Sequence, residues 1–329
     1  MKEKIVEFLK KAQIGEPSSY RNLAVYPIKM QGCGSFPYLV LGEALTQGKV
    51  RVSEVGSNGH VPELFVINES GQRVFLMDGE ELVGAKQNRI LNVSIMLESG
   101  SKIKIPVSCV EQGRWHAKGE WMAEGTICYP DLCKEKMMHV TENLKMHHSF
   151  ASDQSAVWDS VDNKLCSIGA PSQTGSMHDA FKAKGTDIGS YTKNIKFTEG
   201  ATGVVVVINN RLFCADLFDS SETLRKLWNK LISSYALDAM EWNRNDCVCG
   251  PMPCIDIPSF FMEAAKAEFN VFNSPGIGKD VRFNGEGCIG SALVCDDSVI
   301  HLAMFKVERR NAKDESSISR PSRRFGIIE

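Results

Sequence analysis

The chain has 329 residues, 43% hydrophobic and 24% charged, with 38 Lys and Arg against 40 Asp and Glu for a net charge of -2. That balance belongs to a globular chain able to bury a core, with room for two domains, and excludes a collagen-like, low-complexity or disordered protein. Basic residues are scattered and give no nucleic-acid footprint; their one concentration, Arg320 to Arg324, falls in a charged C-terminal tail.

At the N-terminus, MKEKIVEFLKKAQ sets Ile5, Phe8 and Leu9 on one helical stripe with charges throughout, the pattern of an amphipathic helix rather than a secretory signal. No apolar run reaches membrane-spanning length, the best, Val204 to Ile208, being strand-sized. A cytoplasmic protein with no membrane partner is therefore expected. Eleven cysteines, an odd count without a signal, favour reduced thiols over a disulfide framework. Cys109, Cys214 and Cys295 sit in apolar strand patterns, where cysteine acts as a small hydrophobe. CVCGPMPC gathers Cys247, Cys249 and Cys254, but a fourth zinc ligand is unnamed, so no metal is assigned and the cofactor is unknown.

From Ser18 the pattern turns strand-like, through LAVYPIKM (Leu23 to Met30), VRVSEV (Val50 to Val55), ELFVIN (Glu63 to Asn68), RVFLMD (Arg73 to Asp78), RILNVSIML (Arg89 to Leu97) and KIKIPVSCVEQ (Lys102 to Gln112). Past Trp115 come helical segments at Leu132 to Phe150 and Asp153 to Cys166, then a polar Gly/Ser region ending near Gly200. GVVVVINNRLFCADLF reads as a hairpin turned on Asn209 and Asn210. Asp219 or Ser220 caps a helix with Leu224, Leu227, Trp228, Leu231, Ile232 and Tyr235 on one core-facing stripe. A helix near Pro258 to Glu268 precedes a second hairpin, ALVCDDSVIHLAMF, and LFVINESGQRVFL has the same outline.

The expected fold is α+β: a β-rich N-terminal unit, sandwich or open-barrel-like, then a helix-and-β-hairpin C-terminal unit. The divisions are an N-terminal helix at 1–20, a β-rich domain at 21–116, an α+β domain at 117–308 and a polar tail at 309–329.

Pairing Arg89–Leu97 with Lys102–Gln112 across ESGS puts the odd-numbered apolar residues of both on one face. The register so chosen sets Leu97 by Ile103, Val93 by Val107 and Leu91 by Cys109, and one step outward it sets Arg89 opposite Glu111. Two readings compete: a structural ion pair closing the sheet end, or the rim of a small-molecule site. In the second, Arg89 anchors an anionic group, Gln87, Asn88 and Gln112 orient polar groups, Trp115 stacks, and Glu81 or Glu111 handles a proton. Asp153 and Gln154 either start a helix or extend the same pocket.

The runs DGEELVGAKQNR (Asp78 to Arg89), IPVSCVEQGRW (Ile105 to Trp115), SDQSAVWDSV (Ser152 to Val161) and DLFDSSETLRKLW (Asp216 to Trp228) resemble the ARG and rhodanese-phosphatase-superfamily-associated protein family, in order from about Leu23 to Phe305. The family is named for its association with ADP-ribosylglycohydrolases and rhodanese-phosphatase proteins. The resemblance implies a role near ADP-ribose or nucleotide-derivative metabolism and cellular defence, and brings no catalytic list. It tilts the balance toward a site. The leading expectation is a hydrolase that binds an ADP-ribose-like nucleotide derivative; the alternatives are a non-catalytic binding module and an interaction protein with a buried polar network. The expected partner is a small nucleotide-like ligand, not a nucleic acid, with a homo-oligomer left open.

Overall fold

The computed structural model describes residues 1–30, 36–56, 59–245 and 255–307. Both the Cys247, Cys249 and Cys254 group and the tail with Arg320 to Arg324 lie outside the described residues. Within them the chain forms eight helices and eighteen strands, an α+β fold rich in strand. The helices are α1 (Lys2–Lys10), α2 (Leu41–Thr46), α3 (Pro130–His147), α4 (Gln154–Ile168), α5 (Met177–Ala183), α6 (Gly185–Asn194), α7 (Ser221–Asn245) and α8 (Ile257–Lys266). The polar Gly/Ser region thus contains α5 and α6, which its sequence did not announce.

A nine-stranded antiparallel sheet runs Ala12–Ile14, Leu23–Met30, Gly203–Ile208, Arg211–Phe218, Ser298–Lys306, Cys288–Cys295, Lys279–Asn284, Glu268–Asn273, with Ser18–Tyr20 paired onto Leu23–Met30. Its centre is buried on both faces, which is why GVVVVI has no polar alternation. Val204, Val206 and Ile208 meet the α7 stripe in one core, while Val205, Ala215 and Leu217 meet α1 and α8 in another. Ser220 caps α7, its Oγ accepting from the N–H groups of Glu222 and Thr223 at 3.1 and 3.4 Å. Asn209–Asn210 and Asp296–Asp297 take positive φ in the two expected hairpin tips. Strand Leu23–Met30, drawn by the sequence into the first unit, pairs in register with Gly203–Ile208 of the second.

The remaining strands form a six-stranded sheet (Met122–Ile127, Glu80–Gly84, Arg89–Leu91, Lys102–Cys109, Glu63–Asn68, Val50–Glu54) and a three-stranded one (Ile95–Leu97, Arg73–Leu76, Tyr38–Val40). LFVINESGQRVFL is therefore not a hairpin. Its arms belong to different sheets, because Asn68 Nδ2 donates to Gln72 O and Glu98 O, at 2.8 and 2.9 Å, and turns the chain out of its ladder.

The stretch Arg89–Leu97 likewise divides at Asn92–Ser94. Asn92 accepts from Ser108 Oγ at 2.7 Å and donates to Phe150 O at 2.9 Å, and Ser94 Oγ accepts from Asp78 N at 2.9 Å. Arg89–Leu91 alone pairs with Lys102–Cys109, and the register is two residues away from the expected one: Leu91 faces Val107 and Arg89 faces Cys109. A two-residue shift preserves side-chain parity, so the apolar face is correct and the partners are not. The cysteines also depart from expectation at one place: Cys128 and Cys133 form a disulfide across the start of α3, while Cys109, Cys166, Cys214, Cys288 and Cys295 are free.

Candidate functional site at the sheet end

Arg89 and Glu111 are both buried at the sheet end, but they are not partners. Glu111 Oε2 accepts from Arg114 Nη2 at 2.6 Å and from Asn88 N at 3.1 Å, and its Oε1 accepts from Thr174 Oγ1 at 3.0 Å. Burial pushes the Glu111 carboxyl up, yet Arg114, Asn88 and Thr174 together outweigh it and hold it below the ordinary glutamate value. Arg114 itself is sequestered, donating to Ala85 O at 2.7 Å, His116 O at 3.0 Å, Gly84 O at 3.2 Å and Asn88 Oδ1 at 3.0 Å.

Arg89, with 0% of its surface exposed, donates from Nε to Val61 O at 3.2 Å and from Nη1 to Gln87 Oε1 at 3.0 Å. Its Nη2 lies 3.8 Å from Glu54 Oε1 and has no hydrogen-bond partner among the described residues. Burial draws its pKa down, countered by Cys109 and Glu54. Gln87 Nε2 continues the chain to Glu111 O at 3.0 Å. Above them the 48% exposed Trp115 receives two cations over its ring, Lys86 Nζ at 5.4 Å and the Arg89 guanidinium carbon at 5.7 Å.

The other expected residues divide. Gln112 is exposed and lines a groove of about 730 Å³ with Gly113, Asp162, Thr174 and Gly175. Asp153 caps α4, its Oδ1 accepting from Ser155 N at 2.9 Å and Ala156 N at 3.3 Å. Gln154 clamps the strand, accepting from Cys109 N and donating to Cys109 O, both at 2.8 Å. Gln154 thus fastens α4 to the sheet while Asp153 caps the helix, and neither side chain reaches the Arg89 and Glu111 network through those bonds.

Glu81 belongs to the next strand, where Glu81 faces Ile90 and Leu82 faces Arg89, so its side chain leaves the sheet opposite to that of Arg89. Its Oε2 accepts from Thr126 N at 3.2 Å and Thr126 Oγ1 at 3.0 Å and meets His178 Nδ1 at 2.9 Å. Gly125 permits this approach, since a Cβ there would lie 2.5 Å from Oε2. The second oxygen, Oε1, is buried without a hydrogen-bond partner among the described residues. The Glu81 hydrogen bond raises the His178 pKa above its ordinary value, against a smaller lowering by burial. An ionised carboxylate only accepts, so Nδ1 carries the hydrogen and Nε2 is the nitrogen left to take a proton.

One segment ties the two acids together. Thr174 donates to Glu111, Ser176 forms an isolated bridge with Glu111 and sits 3.4 Å from Asn88 Nδ2, and His178 meets Glu81. Sequence reasoning missed Thr126, Thr174, Ser176 and His178 because no apolar periodicity marks their stretches, although Thr126 falls in the strand Met122–Ile127 and His178 in α5. Arg114 was not singled out either.

Fold and site together define a strand-rich α+β protein carrying a carboxylate–imidazole pair beside a buried arginine network. The sequence profile of the ARG and Rhodanese-Phosphatase-superfamily-associated Protein domain matches residues 11–305, and the chain belongs to that family. No curated protein and no solved structure matches it. No helix among the described residues is long and apolar enough to cross a membrane.

Proposed function

We propose that this protein binds and hydrolyses a phosphorylated nucleotide derivative of the ADP-ribose kind, with Glu81 and His178 as its proton-handling pair. The observation that carries the reading is the 2.9 Å contact between His178 Nδ1 and a buried carboxylate whose other oxygen has no hydrogen-bond partner among the described residues. A carboxylate so placed fixes the imidazole tautomer and raises its basicity, the arrangement a general base needs to take a proton from water at Nε2 while the water oxygen attacks the substrate. Glu111, neutralised by Arg114, is a poor base, so the proton falls to the Glu81 side of the site. Ligand class rests on weaker support: Trp115 offers an exposed ring flanked by Lys86, Gln112 opens on a polar groove, and the family name associates the chain with ADP-ribose enzymes.

Incubation with ADP-ribose, cyclic ADP-ribose and NAD tests this. Product formation that is lost in His178→Ala supports hydrolysis, with a rate that climbs with pH through a pKa above 6.5 as His178 deprotonates. A thermal shift without turnover supports a binding module instead. Absence of both responses would leave an interaction protein in which the buried Glu111–Arg114 pair is structural.

A further inference from the structure

Cys128 and Cys133 lie where the strand Met122–Ile127 hands over to α3, in a chain whose other described cysteines are free thiols. Their sulfurs press on Gly79: a Cβ at that residue would lie 2.7 Å from Cys128 Sγ and 2.9 Å from Cys133 Sγ, and its φ of +82° is one that glycine tolerates. Backbone bonds lock the contact, with Cys128 N donating to Gly79 O at 2.9 Å and Gly79 N donating to Leu91 O at 3.0 Å. Two residues beyond Gly79 is Glu81, and two residues before Cys128 is Thr126, which donates twice to Glu81. A small cavity of about 20 Å³, roughly the room of one water, borders both cysteines, lined also by Asp78, Cys214, Asp216 and His301.

We infer that Cys128 and Cys133 are a reversible oxidation site, opened by a dithiol reductant, whose state sets the position of Glu81 through Gly79. The coupling rests on Glu81 and His178 being the site. Cys133 is the less buried of the two, so its sulfur is the one an incoming thiolate reaches. The thiolate bonds to Cys133 Sγ, the disulfide breaks, and its electron pair leaves on Cys128 Sγ, which takes up a proton. The second thiol of the reductant then attacks the mixed disulfide, departs as the oxidised dithiol and returns Cys133 as a thiol. Two electrons and two protons pass to the protein. The two thiols then have to sit at van der Waals separation, beside a Gly79 against which both sulfurs already lie. They move toward the cavity or push on Gly79, and either way the Gly79–Cys128 bonds, with Glu81 and Thr126 on their flanks, shift.

The experiment uses the full chain prepared without reductant, then treated with dithiothreitol and reoxidised with oxidised glutathione. Alkylation and peptide mass analysis are expected to show Cys128 and Cys133 blocked together before reduction and modified together after it. The His178 imidazole signals, followed by NMR, are expected to change on reduction, to titrate closer to the ordinary histidine value, and to return on reoxidation. Cys133→Ser is expected to hold His178 in the reduced-state spectrum under both conditions, and Cys166→Ser, at an exposed free thiol, to leave the response intact. Free Cys128 and Cys133 before reduction would overturn the inference, as would His178 signals indifferent to the state of the pair. Neither readout uses a substrate, so absence of turnover on ADP-ribose sinks the proposed hydrolysis and leaves this inference standing.

Discussion

Glu111 is held by three donors from three parts of the chain, and that is what makes its cation indispensable. In Arg114→Ala a buried carboxylate loses its charge partner while Asn88 Oδ1 and three backbone carbonyls lose a donor. Breaking a buried ion pair from one side costs about 3–5 kcal/mol. The urea midpoint should fall accordingly, whereas Gln112→Ala, at an exposed position, should stay within about 0.5 kcal/mol of the parent. The folded Glu111 carboxyl lies below its unfolded value, so its contribution is complete above about 4.3 and is lost as the pH falls through the lower folded value. His178 behaves in the opposite sense: its folded value is raised, so its contribution is full below 6.5 and is lost as the pH rises through the folded value. Glu81→Gln should remove that dependence and bring the His178 NMR titration down. At this scale the sequence showed that Arg89 and Glu111 face inward, since parity alone decides that. It could not show that Arg114, three residues from Glu111, takes the acid, because the choice depends on where the chain bends after Cys109.

Between elements the decisive contacts are made by amides. Gln154 replaces a missing strand at Cys109, filling both its N–H and its C=O, and so ties the first turn of α4 to the sheet. Gln154→Ala leaves two backbone groups without partners, at about 1–3 kcal/mol for each one that stays buried. The measurement is denaturant unfolding together with a ligand-response assay: stability should drop while the midpoint-corrected response is unchanged, and a lost response at full stability would instead place Gln154 in the pocket. The hairpins turned on Asn209–Asn210 and Asp296–Asp297 were legible because those residues accept positive φ. The ESGS pairing was not, because Ile95–Leu97 leaves its apparent partner for Arg73–Leu76, and nothing in an alternating pattern says which of two apolar strands lies alongside. Alternation fixes a face, and only the turn or a third strand fixes the neighbour.

Across the whole molecule the strand order sets residues from the start of the chain alongside residues from its second half, as one end of the nine-stranded sheet. Gly203–Ile208 is buried at every position, and Leu23–Met30 covers one of its edges while Arg211–Phe218 covers the other. Local pattern reveals such a strand as apolar and says nothing of a partner about 180 residues away by the numbering, since loop closure grows only slowly with length and leaves distant pairings open. A chain lacking residues 1–30 would expose six backbone positions of an entirely apolar strand as a sheet edge, the configuration most prone to intermolecular pairing. That variant should aggregate or lose its native circular dichroism. Deleting residues 1–11 removes α1 and uncovers only the patch around Ile5 and Leu9, so it should remain folded with a lowered unfolding midpoint. Size-exclusion chromatography with light scattering separates the two results. A monomeric, natively folded 31–329 chain would mean that the Gly203–Ile208 edge is protected without Leu23–Met30, and that this long-range pairing does not hold the molecule together.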